Sequence, residues 1–236
     1  MIHWLVQAAQ AHPELADGVV LADVLHADEQ AKLAALKTAK RRQDWVLGRW
    51  TAKRLIQAVA RQQTGRELAL PEIEVQNGRR GDPMVNFPGL DVSLSISHGH
   101  GQAFCALVER PSWPIGADME WIEPRSEVFV QDYLTATEQE QVNLAGEGMR
   151  DVLVTAVWSA KEAVLKALHL GLTVDTRSVE CLIAPVDERP SAWTPFTIGC
   201  DDGRLPQPAP PLTGWWRVWD NFVLTLVVGE ESRIVL

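Results

Sequence analysis

Apolar and polar side chains alternate along several short segments of this chain, and this period-two pattern predicts β-strands. Residues 92–97 alternate apolar side chains with serines, which is typical of a half-buried strand. The run 103–108 is largely apolar, which is typical of a strand buried on both faces. We expect a hairpin that turns at Asp220-Asn221. The predicted strands are 72–75, 92–97, 103–108, 115–120, 215–219 and 222–228.

Apolar residues that recur at three- and four-residue spacing predict helices in other parts of the chain. The clearest helix is expected over residues 152–170, ending before Gly171. Its apolar stripe consists of Val157, Ala160, Val164 and Leu168. Residues 28–62 are rich in alanine, leucine, lysine and arginine and predict one or two helices, with Asp28 as a capping residue. A short helix is expected to open at Thr137-Glu138.

Charged side chains interrupt two of these predicted elements. In the strand 115–120, the alternation places Gly116, Asp118 and Glu120 on one face. Two carboxylates on a strand suit a hard divalent cation, and the glycine allows a ligand or another backbone to approach closely. In the predicted helix, Glu162 and Lys166 lie one turn apart. Taken singly, the strand carboxylates are equally typical of a strand end that runs into a polar turn. The Glu162–Lys166 pair is more typical of a solvated ion pair on a helix surface.

Composition narrows the classes of protein that this sequence can represent. The 236 residues are 46% hydrophobic, which supports a sizeable core in one large domain or two small ones. The longest apolar run is too short for a membrane span, and the first residues lack the features of a signal peptide. The three cysteines form no CxxC pair, which argues against zinc and favours a reducing, cytoplasmic location. A net charge of −9 argues against non-specific nucleic-acid binding.

Three segments together resemble the 4'-phosphopantetheinyl transferases of the surfactin-synthetase-activating type. The first is Gly116-Ala-Asp118-Met-Glu120, and the second is Trp158-Ser-Ala-Lys-Glu-Ala-Val-Leu-Lys166, about forty residues later. The third is Ser95-Ile-Ser-His-Gly99, and weaker similarity extends from about Lys40 to Leu182. Each motif has low specificity alone, whereas all three in this order and spacing are a strong signal.

The resemblance implies a fold and a reaction. The expected fold is α+β, with two similar α/β halves (residues 1–111 and 112–236) related by a pseudo-twofold and a site at their interface. The implied reaction moves the phosphopantetheine arm of coenzyme A to a serine of an apo acyl or peptidyl carrier protein, releasing 3',5'-ADP. A monomer is expected. Carrier proteins are usually acidic, so this acidic chain would need a local basic or apolar patch to bind one.

The resemblance also implies roles for the charged residues of the second half. Asp118, Glu120 and Glu162 would hold Mg²⁺ against the pyrophosphate, since this ion prefers oxygen ligands. Glu162 would also accept the proton of the incoming serine, directly or through a water. Lys166 would contact a phosphate oxygen and offset developing charge. Lys161 is predicted to point away from Lys166, so a phosphate contact and a structural role stay open for it.

In the first half, the resemblance implies contacts with coenzyme A. His98 and Ser97 correspond to a phosphate-binding segment, although a lone histidine is more often structural. Lys40, Arg41 and Lys53 are the expected ligands of the 3'-phosphate, and the alternative for each is a solvated helix face.

One position departs from the family pattern, and two other functions stay open. Many members carry Gly-Lys-Pro before the Ser-His strand, whereas this chain has Gly81-Asp82-Pro83, so either Arg79 or Arg80 replaces that lysine or the contact is absent. A different Mg²⁺-dependent phosphohydrolase would use the same carboxylates on phosphoesters without a carrier protein. A non-enzymatic binding module would use a tryptophan-rich surface and would tolerate loss of Glu162.

Overall fold

A computed structural model describes residues 1–16, 23–65 and 67–230 of the chain. It separates into two compact units, Met1–Trp113 and Pro114–Glu231, called unit 1 and unit 2 below. The predicted halves include residues 17–22, 66 and 231–236, which lie outside the described residues. Within the described ranges, no helix combines the length and apolar character needed to cross a bilayer.

Unit 1 packs a long helix against an antiparallel sheet of three strands in the order β1-β5-β4. A separate hairpin pairs β2 with β3. The helices are α1 (Pro13–Ala16), α2 (Ala27–Ala34) and α3 (Ala39–Thr64). The strands are β1 (Ile2–Ala8), β2 (Glu74–Asn77), β3 (Pro83–Asn86), β4 (Ser93–Gly99) and β5 (Gln102–Val108).

Local signals set the ends of the unit 1 helices. Thr38 caps α3 by accepting a hydrogen bond from the backbone N–H of Arg41. The helix ends at Gly65, whose φ of +68° favours glycine. The prediction that Asp28 caps the preceding helix is wrong. His26 caps α2 instead, because its Nδ1 accepts a hydrogen bond from the backbone N–H of Asp28, which already lies inside the helix.

Unit 2 packs its own long helix, α6, against an antiparallel sheet in the order β6-β10-β9-β8-β7. The helices are α4 (Glu127–Tyr133), α5 (Ala136–Asn143) and α6 (Arg150–Ala167). The strands are β6 (Ile115–Trp121), β7 (Val179–Leu182), β8 (Thr194–Cys200), β9 (Leu212–Trp219) and β10 (Phe222–Gly229). The core lies between α6 and this sheet, where the burial of apolar surface stabilises the unit.

The sequence pattern predicts most of unit 2. The predicted helix 152–170 is observed as Arg150–Ala167, and its apolar stripe is buried. The predicted hairpin of β9 and β10 is confirmed, with Asp220 in the left-handed region at a φ of +53°. The helix α4 was not predicted, because its seven residues are too few to show a helical period.

The two units repeat one arrangement. Each begins with a strand, continues through two short helices and then a long one, and ends in two successive hairpins. The strand order β1-β5-β4 of unit 1 matches β6-β10-β9 of unit 2, with the last two strands joined by a two-residue turn in both. This confirms an α+β fold with two similar halves, whereas the pseudo-twofold and the interfacial site stay predictions.

Candidate active site

The site in unit 2 forms where β6 lies against α6. A Cβ atom at Gly116 would lie 1.8 Å from the carbonyl oxygen of Ala163, so any side chain there would force the helix away from the strand. Of the two open explanations for this glycine, close approach of another backbone is the correct one. The close contact brings the carboxylates of β6 within reach of the side chains of α6.

Asp118 is buried, with 3% of its surface exposed, and both of its oxygens accept hydrogen bonds. The Nζ of Lys166 donates to Oδ1 at 2.7 Å and to the Ala117 carbonyl at 3.1 Å. The Oγ of Ser159 donates to Oδ2 at 2.8 Å. Lys166 therefore forms its ion pair across to the strand, which argues against a solvated pair with Glu162 on the helix surface.

Glu120 lies at the end of the same strand, between a tryptophan and an arginine. Its Oε1 accepts a hydrogen bond from Trp158 Nε1 at 3.3 Å, and its Oε2 accepts one from Arg125 Nη2 at 3.2 Å. Burial and, next, the negative charge of Asp118 together raise the pKa of Glu120 to about 7, against the opposing effect of Arg125. Glu120 therefore titrates near neutrality in the metal-free protein.

Glu162 carries the uncompensated atom of the site. Its Oε1 is buried and has no hydrogen-bond partner. Burial raises the pKa of Glu162, the charge of Asp118 raises it further, and Lys166 opposes the shift. A buried carboxylate oxygen without a donor costs free energy, so this position favours a proton or a cation.

These observations test whether the three carboxylates fit Mg²⁺. All three offer oxygen ligands, the charge of Asp118 raises the pKa of both glutamates, and Glu162 has an oxygen without a hydrogen-bond partner, so the residues fit a divalent cation. The ligand oxygens of the three residues do not all lie within 4.8 Å of one another. Among the described residues, the group with ligand atoms all within 4.8 Å of one another is a different one, in unit 1, formed by His26, Asp28 and Glu74.

The side chains of that unit 1 cluster already form hydrogen bonds with neighbouring groups. The Nδ1 of His26 accepts the capping hydrogen bond from Asp28. The carboxylate of Glu74 accepts hydrogen bonds from Gln76 at 2.7 Å and Asn86 at 2.9 Å. These hydrogen bonds cap helix α2 and connect strand β2 with strand β3.

Lys161 has a structural role. Its side chain is fully buried, and its Nζ donates to both oxygens of Glu138, at 2.8 and 2.6 Å, and to the Val179 carbonyl at 2.6 Å. The same carboxylate accepts hydrogen bonds from the backbone N–H groups of Thr135 and Cys181, each at 2.7 Å. This pair joins α6 to α5 and β7, and it leaves Lys161 unable to reach a phosphate.

Lys53 in unit 1 is buried in the same way. Its Nζ forms an ion pair with Glu29 and donates to the Val24 carbonyl at 2.8 Å. Glu29 also accepts hydrogen bonds from the backbone N–H groups of His26 at 2.9 Å and Val75 at 3.2 Å. Because the ammonium is 0% exposed and fully paired, the structure argues against Lys53 as a ligand of the 3'-phosphate.

The other predicted residues of unit 1 occupy different positions. Lys40 and Arg41 are exposed in the first turn of α3 and are free to meet an anion. His98 is exposed near the end of β4, beside Gly48 of α3, and its neighbour Ser97 is buried.

The comparison with protein families bears on unit 2. Residues 114–201 match the family model described as the 4'-phosphopantetheinyl transferase superfamily. The matched segment, a little over a third of the chain, contains Asp118, Glu120, Glu162 and Lys166. The resemblance to this superfamily is confirmed. The matched segment contains both elements that carry the motifs, strand β6 and helix α6.

Solved structures add similar proteins at low identity. A holo-(acyl-carrier-protein) synthase from Bacillus anthracis, in complex with CoA (3',5'-ADP), is 24% identical over 45% of this chain and 91% of its own, with a TM-score of 0.38. The Thermotoga maritima holo-[acyl-carrier-protein] synthase is 17% identical over 57% of this chain and 74% of its own, with a TM-score of 0.37. With TM-scores below 0.5, these likenesses carry no conclusion about this chain. No curated protein matches it significantly.

Sequence reasoning missed two parts of the site. Arg125 follows β6 in a short loop, and no pattern in the sequence connects it with Glu120. Thr225 lies in β10, where it contacts Ser159. It is the single polar residue within the stretch 222–228, and a polar residue in a strand that is otherwise apolar was the available signal.

Proposed function

We propose that this protein transfers the 4'-phosphopantetheine arm of coenzyme A to a serine of an apo acyl or peptidyl carrier protein, with release of 3',5'-ADP. The observation that carries the proposal is the buried, unpaired Oε1 of Glu162 among two further carboxylates. The superfamily match over residues 114–201 supports the same reaction class.

Asp118, Glu120 and Glu162 are the residues that would hold Mg²⁺. When bound, the ion offsets negative charge on the pyrophosphate of coenzyme A. Ser159 and Lys166 fix the Asp118 carboxylate, and Trp158 and Arg125 fix that of Glu120. This fixation lowers the cost of organising charged groups when the substrate binds.

Glu162 and Lys166, both on α6, have different roles in the proposed reaction. The raised pKa of Glu162 makes its carboxylate a better proton acceptor than an exposed glutamate, which suits removal of a proton from the incoming serine. The side chain of Lys166 is 29% exposed and its Nζ is already directed at the site, so it is available to a phosphate oxygen. In unit 1, His98, Ser97, Lys40 and Arg41 are proposed to contact coenzyme A.

The other two functions find less support. The binding-module hypothesis relied on exposed tryptophans, whereas each of the ten tryptophans is buried or half-buried. A phosphohydrolase would use the same carboxylates and is distinguished by turnover of phosphoesters without a carrier protein.

The test is the transfer reaction itself. We expect a panel of apo carrier proteins, incubated with coenzyme A and Mg²⁺, to include one whose intact mass increases by one phosphopantetheine arm. Glu162→Gln should lower the transfer rate at least about 10²-fold, as is typical of losing a positioned proton acceptor. The exposed Glu140 on α5 provides the matched control Glu140→Gln. A Glu162→Gln protein that is folded by circular dichroism and transfers at the wild-type rate would remove Glu162 from the mechanism.

A further inference from the structure

Two buried side chains, one from α6 and one from β10, meet behind the Asp118 carboxylate of β6. Thr225 on β10 is the cross-strand partner of Asp118 on β6, so their side chains lie next to each other on one face of the sheet. Ser159 of α6 contacts both, with Oγ 2.8 Å from Asp118 Oδ2 and 2.9 Å from Thr225 Oγ1. Ser159 and Thr225 are both 0% exposed.

Counting protons assigns the direction of these hydrogen bonds. A hydroxyl carries one proton, and an ionised carboxylate only accepts. The Ser159 proton therefore goes to Asp118. The Thr225 proton is directed at α6, where the Ser159 carbonyl lies at 3.0 Å and the Ser159 Oγ at 2.9 Å. Thr225 thus contacts Ser159 as a donor and leaves the Ser159 proton for the carboxylate.

We propose that Thr225 is a positioning residue for the metal site, which acts on Asp118 through Ser159. A serine in a helix can also turn back and donate to a carbonyl of the preceding turn, and this rotamer competes with the one that faces Asp118. The Thr225 hydroxyl favours the outward rotamer, because it supplies a second contact to Ser159 there. The Ser159 hydroxyl then still holds Oδ2 of Asp118 in place when a cation replaces some of the other contacts of this carboxylate.

This inference depends on the proposed function, since it assumes that Asp118 is a ligand of a divalent cation. Groups that orient a ligand from behind typically change metal affinity 10–100-fold when they are removed. Mn²⁺ is a suitable probe, because carboxylate sites that suit Mg²⁺ also accept it, and its free form is measured by electron paramagnetic resonance.

The experiment measures Mn²⁺ affinity of the full chain without coenzyme A. Thr225→Val removes the hydroxyl and keeps the branched shape, and we expect Mn²⁺ affinity to fall about tenfold. Thr225→Ser should restore it, because it retains the hydroxyl. The matched control is Thr155→Val, one turn before Ser159 on the same helix, whose Oγ1 is buried without a hydrogen-bond partner. This change should leave Mn²⁺ affinity unaltered.

The possible outcomes separate the inference from the proposed function. If wild-type protein binds no Mn²⁺ and transfers no arm, the proposed function fails. If wild-type protein binds Mn²⁺ and Thr225→Val binds it equally well, only the positioning role fails. Equal weakening in Thr225→Ser would also overturn that role, since the hydroxyl would then be irrelevant. Ser159→Ala tests the same contact from the helix, in case Thr225→Val does not fold, and wild-type Mn²⁺ affinity in that variant would overturn the inference.

Discussion

Replacing Glu120 with glutamine should make the metal-free protein more stable at neutral and alkaline pH. The folded protein holds the pKa of Glu120 at about 7, compared with an ordinary value of 4.5. Between these two pH values the folded state retains a proton that the unfolded state has released. Stability therefore falls as pH rises from about 4.5 to about 7, and the loss is complete above that range.

The size of this effect follows from the difference between the two pKa values. At 1.36 kcal/mol for each pKa unit, the charged Glu120 costs the folded state about 3 kcal/mol above pH 7. Glutamine removes this cost. Its single amide oxygen can accept from either Trp158 or Arg125 but not from both, which returns about 1 kcal/mol. Glu120→Gln should thus be about 2 kcal/mol more stable than wild type at pH 8, and no more stable at about pH 5.

Urea unfolding in EDTA, followed by circular dichroism at both pH values, measures this difference. Glu123→Gln is the control, because Glu123, whose side chain is 45% exposed, also pairs with Arg125, at 3.0 Å, and this variant should lack the gain at pH 8. Adding Mg²⁺ should stabilise the wild type at pH 8 more than Glu120→Gln, since a bound ion offsets the same charge. Parallel pH dependence in wild type and Glu120→Gln would refute the argument that Glu120 is strained by burial and by Asp118.

Two further predictions concern packing in unit 2. Lys161→Met should destabilise the protein by about 3–5 kcal/mol in urea unfolding, because it leaves the Glu138 carboxylate buried without its cation; a loss below about 1 kcal/mol would show that Glu138 simply becomes protonated at little cost. Gly116→Ala should cost at least about 2 kcal/mol, because its Cβ would overlap the Ala163 carbonyl oxygen. Gly199→Ala is its control, since the nearest atom there is 3.7 Å away, and equal losses in both variants would contradict the close-packing argument.

Periodicity was sufficient to predict the elements that carry the site. The stripe of α6 and the alternation of β6 are local patterns, and both are kept in the fold because α6 packs its apolar face against the sheet that contains β6. The alternation also placed Gly116, Asp118 and Glu120 on the face that meets α6, as their contacts with that helix show. The period-two spacing alone was therefore sufficient to predict that the strand carboxylates share one face of β6.

Partners from distant parts of the chain could not be predicted. Lys53 and Lys161 look like solvated helix lysines in the sequence, because the glutamates that pair with them are 24 and 23 residues away. Their burial depends on how α2 and α5 pack, which no local pattern reports. Thr225 was missed for the same reason, since its importance comes from its contact with Ser159, 66 residues away. Arg125 is only five residues from Glu120, but it lies in a loop, where no periodic pattern reports the contact.

Because the two units repeat one arrangement, the carboxylate positions of unit 2 can be compared with the equivalent positions of unit 1. When the two-residue turns before β5 and β10 are aligned, the strand pairing sets Leu5 of unit 1 at the position of Asp118 in unit 2. The same alignment sets Gln7 at the position of Glu120. An apolar side chain and a neutral amide therefore serve in unit 1 where unit 2 has two acids.

The buried lysines extend this comparison to the long helices. Lys53 and Lys161 make equivalent contacts, each with a capping-box glutamate and a backbone carbonyl. Aligning them sets Arg54 at the position of Glu162. Unit 1 thus builds the same strand-and-helix framework with the acids replaced by an apolar, an amide and a cationic side chain. The framework forms in unit 1 without the acids, so burying them in unit 2 lowers stability without being needed for the fold, and this favours a chemical role for them.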